Sequence, residues 1–380
     1  MKKKFIVDRY NFQYQFSRIK PTLLKQIQKL LISGNYILSD EVDIFEKKFS
    51  KYIGTKHSIG VNSGTDALIL TYRALSIGPG DEIISVANTF HATILAILRV
   101  GATPKLVDCN LDNYQIDINQ IEKAITSKTR AITVVHLFGK AVNMDPILRI
   151  AKKYNLYVIE DCAQSIGAKY KNKRVGSFGI AGCFSFHPSK NLAAAGDAGA
   201  ITTNNSALNA RLRRLRQFGQ KDQNDHRELG YNSRLDGIQA LILLKKLPFV
   251  NRWNKSRYKK AKQYIKLLSK YPLNFPQIGS KEDNVFHLFQ VQSKERNQIL
   301  RHLQKNKIDP VVRYPVPIHL QPAFSFLKYK KGDFPNSELL AKTTFCLPIR
   351  PDLTDKENNY VCKKINSFYS TRKLKSKSHK

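Results

Sequence analysis

The chain has 380 residues, of which 42% are hydrophobic and 10% aromatic, so it can bury a sizeable core and is not disordered throughout. Its net charge of +35 would attract a polyanion such as nucleic acid. The basic residues are scattered along the chain, however, which favours a solvated basic surface over a nucleic-acid site. No apolar run approaches the roughly 20 residues of a membrane span, and we expect no secretory signal at the start of the sequence. The five cysteines include no CxxC pair, which predicts buried thiols rather than disulfides or a metal site, and therefore a cytoplasmic protein.

The first part of the chain predicts an N-terminal segment followed by a large α/β domain. Residues 1–35 read as a basic arm and a helix over residues 20–31. From about Val61, helical stretches alternate with short apolar runs, which predicts a mostly parallel sheet covered on both faces within a domain of residues 36–250. The predicted strands are residues 82–86, 105–108, 131–137, 156–160, 182–186 and 199–202, and the main helices are residues 66–75, 144–154 and 206–217.

After Pro248 the pattern changes to that of a second, smaller α+β domain over residues 251–368. A long polar helix is predicted for residues 251–270, a β-like stretch for residues 286–291 and a helix for residues 296–305. A proline-rich segment follows, and then a last helix from residue 355 to about residue 368. We expect the basic tail, residues 369–380, to be disordered and to contribute little to turnover.

Lys190 is a candidate for covalent chemistry. It follows a predicted strand in Ser185-Phe186-His187-Pro188-Ser189-Lys190-Asn191, which places it on a loop at the carboxyl edge of the sheet, where open α/β sheets bind ligands. A partly desolvated lysine there has a lowered pKa and can form an imine. By itself, a lysine in a turn is most often simply solvated.

Asp161 and Gln164 form a second candidate group, because the strand over residues 156–160 runs into Glu160-Asp161-Cys162-Ala163-Gln164. A pyridine ring that serves as an electron sink needs a carboxylate to keep its nitrogen protonated. Side chains alternate along a strand, so only one of Glu160 and Asp161 can face a given ligand. Asp161 fits this role, and Gln164 could contact a ring hydroxyl. An aspartate at the end of a strand also commonly caps the following turn without any ligand.

A phosphate site and a stacking ring are the remaining candidates. Asn62-Ser63-Gly64-Thr65-Asp66 lies where a strand gives way to a helix, and free amides at a helix start can bind a phosphate, although a plain N-cap is equally consistent. Phe90 follows another strand and could stack on a planar cofactor or belong to the core. The chain contains neither GxGxxG nor GxxxxGK[ST]. The ends of successive strands thus carry, in chain order, a candidate phosphate site, an aromatic ring, a carboxylate and a lysine.

With these residues, the sequence resembles the DegT/DnrJ/EryC1/StrS family of sugar aminotransferases over roughly residues 30–365. That resemblance implies a pyridoxal-phosphate enzyme of fold type I, the aspartate-aminotransferase fold. The matching segments are residues 34–38, 62–68, 160–164, 185–191, 230–236, 314–319 and 334–348. Ser39-Asp40 and Asn336-Ser337 depart from the usual family pattern at positions that do not touch the cofactor.

The resemblance also implies a role for each matching residue. Lys190 would bind pyridoxal phosphate covalently and move the proton. Asn232 would reach the cofactor phosphate of a neighbouring subunit, so the active unit would be a homodimer. The other implied contacts are Asp161 with the pyridine nitrogen, Gln164 with the ring hydroxyl, Gly64, Thr65 and Ser185 with the phosphate, Phe90 with the ring face, and His319 and Tyr314 with the sugar.

The implied reaction moves an amino group from L-glutamate to a nucleotide-diphosphate keto-sugar, for deoxyaminosugar or surface-polysaccharide synthesis. Residues 232–236, 245–247 and 253–254 look most like enzymes that aminate C3 of a dTDP-3-keto-6-deoxyhexose, with C4 amination as the alternative. Lys190, where some relatives have histidine, favours transamination over dehydration. Two other classes stay open: a basic nucleic-acid-binding regulator on the same scaffold, and a desulfurase or eliminase that uses Cys162 or Cys183.

Overall fold

The computed structural model describes residues 5–279 and 282–377. Its helices are α1 Phe12–Ser17, α2 Lys20–Ser33, α3 Asp40–Ile53, α4 Gly64–Ala74, α5 His91–Arg99, α6 Ile118–Ile121, α7 Met144–Lys153, α8 Ser206–Arg216, α9 Gly237–Lys246, α10 Val250–Leu268, α11 Arg296–Lys305, α12 Pro335–Thr343 and α13 Asp355–Lys377. Its strands are β1 His57–Val61, β2 Glu82–Val86, β3 Thr103–Val107, β4 Thr129–Val135, β5 Tyr157–Asp161, β6 Lys169–Tyr170, β7 Lys173–Arg174, β8 Ala181–Ser185, β9 Gly199–Thr203, β10 Gln220–Asp222, β11 Asp225–His226, β12 Phe289–Gln292 and β13 Thr344–Leu347.

The centre of the fold is a seven-stranded sheet in the order β1-β9-β8-β5-β4-β2-β3. Neighbours from β8 to β3 pair in parallel, whereas β9 pairs antiparallel with both β1 and β8. The prediction of a mostly parallel sheet in an α/β fold is therefore confirmed. Because β2, β4, β5 and β8 run in the same direction, the residues that follow them meet at one edge of the sheet.

Burial explains why these strands form. The strands β4 and β5 are buried over nearly their whole length, as expected for parallel strands with helices on both faces. The predicted strand over residues 131–137 ends earlier, at Val135, because the chain turns into a 3₁₀ helix over Leu137–Gly139. The strand β1 was not among the predicted strands, although a strand was expected to precede Asn62.

The C-terminal part has its own hydrophobic cluster, formed by α10, α11, α13, β12 and β13. The N-terminal arm packs onto it, because Val7 belongs to the cluster and Arg9 forms a 2.8 Å salt bridge with Asp309. The boundary near residue 250 is crossed by a nearly continuous helical run from α9 into α10. We therefore retain the two-domain division as a proposal.

The prediction for the C-terminal tail needs correction. The helix α13 does not end near residue 368 but continues to Lys377, and residues 378–380 lie outside the described part of the chain. Residues 369–377 contain no glycine or proline and include several good helix formers, so nothing in their sequence stops the helix. Within the described ranges, no helix has the length and apolar character needed to cross a membrane.

Candidate active site

A cavity of about 330 Å³ opens at the carboxyl edge of the central sheet. It brings together most of the residues that the sequence selected, although they are far apart along the chain. The predicted residues in its lining are Gly64, Thr65, Phe90, Asp161, Gln164, Ser185, Lys190 and Tyr314.

Lys190 reaches this cavity from the turn that follows β8. Its backbone amide donates a 2.8 Å hydrogen bond to the carbonyl of His187, which closes the turn. Loss of hydration lowers the pKa of Lys190 to about 8, and the positive charge of Arg313 acts in the same direction, against the opposing effect of Asp161. At neutral pH the uncharged, nucleophilic fraction of this amine is therefore a minor one, but it is far larger than for a solvated lysine.

Asp161, the last residue of β5, faces the cavity with 6% of its surface exposed. Its oxygens accept hydrogen bonds from the hydroxyl of Thr93, at 2.8 Å, and from the amide of Ala163, at 3.1 Å. Burial raises the pKa of this carboxyl, while both hydrogen bonds favour its ionised form. The site thus presents a buried carboxylate with neutral partners to the cavity.

Glu160 points to the opposite face, as the strand alternation predicted. Its carboxylate accepts hydrogen bonds from the amides of Gly176, Phe178 and Gly179 at 2.7–2.8 Å. His136 lies 3.1 Å from it, and Nδ1 of this histidine accepts from the amide of Val142, so Nε2 carries the proton that is donated to Glu160. Glu160, His136 and Cys162 lie close enough to hold a metal, but these hydrogen bonds already explain the arrangement.

The start of α4 forms a close-packed cradle against the end of β8. Ser63 is the N-cap and its hydroxyl accepts a 3.0 Å hydrogen bond from the amide of Asp66. The amides of Gly64 and Thr65 belong to the first turn, where a helix offers them no carbonyl. A Cβ at Gly64 would lie 2.7 Å from Cβ of Ser185, so only glycine permits this approach. Together these groups have the geometry that can bind an anion, and phosphate binding stays a prediction for them.

Aromatic rings form another wall of the cavity. Phe90 is 41% exposed, although it lines the cavity, and its ring centroid lies 5.6 Å from that of Tyr314. Gln164 accepts from the amide of Phe138 at 2.8 Å and donates to the hydroxyl of Tyr314 at 2.9 Å. Gln164 therefore fixes Tyr314 in place, and contact with a cofactor hydroxyl remains a prediction for it.

Two predicted residues lie elsewhere. His319 does not line the cavity, because the 3₁₀ helix Ile318–Leu320 turns its ring into the core, where it is 3% exposed and contacts Glu338 at 3.1 Å. His319 thus lies outside the cavity lining of its own chain, and its contact with the sugar stays a prediction. Asn232 is exposed and pairs through its backbone with Gln217, outside the cavity of its own chain. That position leaves its implied contact with a neighbouring subunit as a proposal.

The residues of the cavity wall that the sequence analysis missed include Tyr10, Thr93, His287 and Arg313. Thr93 could have been found, because it lies in the first turn of α5, three residues after Phe90. Tyr10, His287 and Arg313 come from the N-terminal arm and from segments beyond residue 280, and no local motif marks them. His287 is buried, and burial together with the nearby charge of Lys190 keeps its pKa well below the usual value.

The cysteines do not supply a nucleophile for the cavity. All five are free and buried, as predicted. Burial raises the pKa of Cys162 and of Cys183 well above the usual thiol value, and neither side chain is among the cavity-lining residues. This environment disfavours the desulfurase or eliminase interpretation, which needs an accessible thiolate.

The sequence matches the DegT/DnrJ/EryC1/StrS aminotransferase family over residues 17–366. The chain belongs to this family. A dTDP-3-amino-3,6-dideoxy-alpha-D-galactopyranose transaminase of Aneurinibacillus thermoaerophilus is 44% identical over 351 residues, 92% of this chain and 96% of the relative. A protein of Geobacillus stearothermophilus named "Pleiotropic regulatory protein" is 41% identical over 93% of this chain and 96% of the relative.

The fold agrees with this membership. The crystal structure of Streptomyces venezuelae DesV in complex with a ketimine intermediate superposes with a TM-score of 0.93, at 37% identity, over 95% of this chain and 98% of DesV. The protein is thus a sugar aminotransferase of the DegT/DnrJ/EryC1/StrS family, and its cofactor is pyridoxal 5′-phosphate. The resemblance noted in the sequence, and the fold and cofactor that it implied, are confirmed.

Proposed function

We propose that this aminotransferase moves the amino group of L-glutamate onto C3 of a dTDP-3-keto-6-deoxyhexose, for the synthesis of deoxyaminosugars in surface polysaccharides. The observation that carries the chemistry is the desolvated Lys190, which shares one cavity with the buried carboxylate of Asp161. A lysine with a lowered pKa can serve both as a covalent anchor and as a base.

The residues present fit pyridoxal phosphate. Gly64 and Ser185 line the cavity beside the free amides at the start of α4, which can bind a phosphate, and Phe90 in the same lining offers an apolar surface for a ring. When bound, the cofactor supplies an electron sink for the negative charge that develops on the donor carbon. Asp161 would hold a proton on the ring nitrogen, and Lys190 would bind the cofactor and then, as a free amine, move the proton at the donor Cα.

The substrate assignment rests on the relatives. The Aneurinibacillus relative and a Streptomyces venezuelae relative, 40% identical over 86% of each chain, are both named as dTDP-3-amino sugar transaminases. Dehydration, the alternative within the family, lacks support because Lys190 is present. Amination of C4 stays the second candidate within the same chemistry, since the two carbonyl positions are adjacent on the sugar. The basic surface supports capture of an anionic nucleotide sugar.

We further propose a cytoplasmic homodimer. In this assembly the exposed Asn232 of each chain would contact the cofactor phosphate bound by its partner. The exposure of Asn232 outside the cavity of its own chain supports this arrangement, because a residue that serves another subunit must lie on the surface.

Product analysis tests the substrate assignment. The enzyme, with ¹⁵N-glutamate, is incubated separately with a dTDP-3-keto-6-deoxyhexose and a dTDP-4-keto-6-deoxyhexose, and the position of ¹⁵N is read by NMR. We expect label on C3 of the first sugar and little turnover of the second. Label on C4 would replace the C3 assignment, and no transfer to either sugar would contradict the proposed substrate class.

A regulator that binds nucleic acid is the second candidate function, favoured by the +35 charge and by the name of the Geobacillus relative. Mobility-shift assays over a range of salt concentrations distinguish the possibilities. A sequence preference that survives at physiological salt supports a regulator, whereas weak, sequence-blind binding that disappears with salt reflects charge alone.

A further inference from the structure

We propose that Ser233 is a positioning residue that joins the two cofactor sites of the homodimer, an inference that rests on the shared sites proposed above. In that assembly, each cofactor phosphate contacts the cradle at the start of α4 of one chain and Asn232 of the other chain. Ser233 contacts the cradle of its own chain and is the next residue after Asn232. The roles implied by the family resemblance do not include Ser233.

The hydroxyl of Ser233 is buried against the start of α4. It donates a 2.7 Å hydrogen bond to Oδ2 of Asp66 and accepts a 3.1 Å hydrogen bond from the amide of Asn62. The amide of Asp66 in turn donates to the hydroxyl of Ser63, so this aspartate is held at both its backbone and its carboxylate. The two cradle residues lie between Ser63 and Asp66 in the chain. Ser233 therefore holds the residue that ends the cradle.

The backbone around Ser233 is extended and hydrogen-bonded, which separates the directions of neighbouring side chains. The amide of Ser233 donates a 2.9 Å hydrogen bond to the carbonyl of Arg216, and Asn232 pairs antiparallel with Gln217. Side chains alternate along such a segment. Ser233 is accordingly 2% exposed and contacts α4, whereas Asn232 is exposed. Because the two residues are consecutive on a held backbone, fixing one side chain also restricts the other.

The two-fold symmetry of a homodimer extends this local connection from one site to the other. A phosphate bound at the first site would fix Asn232 of the second chain. The same segment of that chain carries Ser233, which holds the cradle of the second site. Part of the order that the second cradle needs is then already present, so the second phosphate binds more tightly. Coupling between sites is reciprocal and typically changes affinity about 5-fold or more.

Mixed dimers test this inference at a single visible site. One chain carries Lys190→Ala together with Ser233→Ala, the other chain is wild type, and two affinity tags isolate the mixed dimer. Only the wild-type chain can form the visible cofactor band, and its own cradle keeps Ser233. The matched control combines Lys190→Ala with Ser337→Ala, which removes another buried serine hydroxyl that donates to a carboxylate, that of Asp108, at 2.6 Å.

Cofactor-free dimers are titrated with pyridoxal phosphate, and the absorbance of the band gives the Kd of the visible site. We expect Ser233→Ala in the other chain to raise this Kd about 5- to 10-fold over that of the control. A merely structural role would weaken only the cradle of the altered chain, which forms no band. Wild-type homodimers should bind the cofactor cooperatively, and Ser233→Ala homodimers should lose that cooperativity.

A second variant breaks the same link from the side of the cradle. Asp66→Asn in place of Ser233→Ala should raise the Kd of the visible site by a smaller factor, because a neutral oxygen accepts a weaker hydrogen bond than a carboxylate. This variant keeps the buried serine, so it tests the link even where Ser233→Ala chains do not fold.

The proposal is overturned if both variants leave the Kd of the visible site equal to that of the control. Asn232→Ala, placed in the same chain as Lys190→Ala, tests the assembly on which the inference rests. If Asn232→Ala weakens the visible site and the other two variants do not, only the coupling through Ser233 fails. If Asn232→Ala also leaves that site unchanged, the proposed sharing of sites between subunits fails instead.

Discussion

The hydroxyl of Thr93 donates a 2.8 Å hydrogen bond to Oδ2 of Asp161. This contact joins the first turn of α5 to the end of β5, across 68 residues of sequence. Because the hydrogen bond favours the ionised carboxylate, it opposes the rise in the pKa of Asp161 that burial causes. The first turn of α5 therefore helps to stabilise the ionised form of Asp161, a residue that the sequence placed in the site by a separate motif.

Thr93→Val should slow transamination. Loss of the hydroxyl removes a hydrogen bond that lowers the pKa of Asp161, so the carboxyl is less able to hold a proton on the cofactor nitrogen. We expect the rate constant of the glutamate half-reaction to fall about 10-fold, from the usual strength of a hydrogen bond to a charged group. Single-turnover absorbance with glutamate measures it. Thr93→Ser keeps the hydroxyl and should retain most of the rate; equal rates in Thr93→Val and wild type would remove this role.

Gly64→Ala should weaken cofactor binding. The new Cβ would lie 2.7 Å from Cβ of Ser185, so the start of α4 must shift away from β8. Overpacking of this kind costs about 1–3 kcal/mol, which predicts a roughly 10-fold rise in the Kd for pyridoxal phosphate. Gly78→Ala is the matched control, since its Cβ would meet nothing closer than 3.5 Å. Similar cofactor affinities for both variants would argue against a cradle at Gly64.

Capture of pyridoxal phosphate by cofactor-free enzyme should speed up as pH rises through about 8. The attacking group is the neutral amine of Lys190, and burial lowers its pKa to about 8. The neutral fraction is small below that pH and approaches a plateau above it. Stopped-flow absorbance between about pH 6.5 and about pH 9.5 measures the midpoint. Arg313→Gln should move it upward, because one positive charge is removed; a midpoint near the pKa of about 10.4 of free lysine would contradict the desolvated site.

The proposed dimer predicts subunit complementation. Lys190→Ala chains should be inactive and Asn232→Ala chains impaired, but a refolded one-to-one mixture should form some sites with both native residues. Random pairing gives about a quarter of wild-type activity, because half of the dimers are mixed and each has one intact site. Activity no greater than the average of the separate variants would show that Asn232 does not serve a partner.

Sequence reasoning found the parts of the site that local motifs encode. Lys190, Asp161 and Gly64 each follow or begin a regular element, so strand and helix boundaries were enough to place them at one edge of the sheet. The parallel order of the strands then brought them together. The same reasoning explains why Glu160 was correctly separated from Asp161, since alternation along β5 requires it.

The remainder depended on long-range packing, which single motifs do not encode. Tyr10 reaches the cavity because the N-terminal arm binds the C-terminal cluster, and Arg313 because the segment before Tyr314 returns to the sheet edge. His319 was placed near the sugar by the family resemblance. Five residues of separation and one 3₁₀ turn were sufficient to direct its ring to Glu338 instead.

The central claim, that Lys190 anchors the cofactor of a glutamate-dependent sugar aminotransferase, is tested most directly by the absorbance of the purified protein with pyridoxal phosphate. Glutamate is added first, followed by a panel of nucleotide keto-sugars, with Lys190→Ala as control. We predict a visible band that glutamate bleaches, that one keto-sugar restores, and that Lys190→Ala does not form. A Lys190→Ala protein that binds and responds like wild type, or a wild-type protein without such a band, would contradict the account.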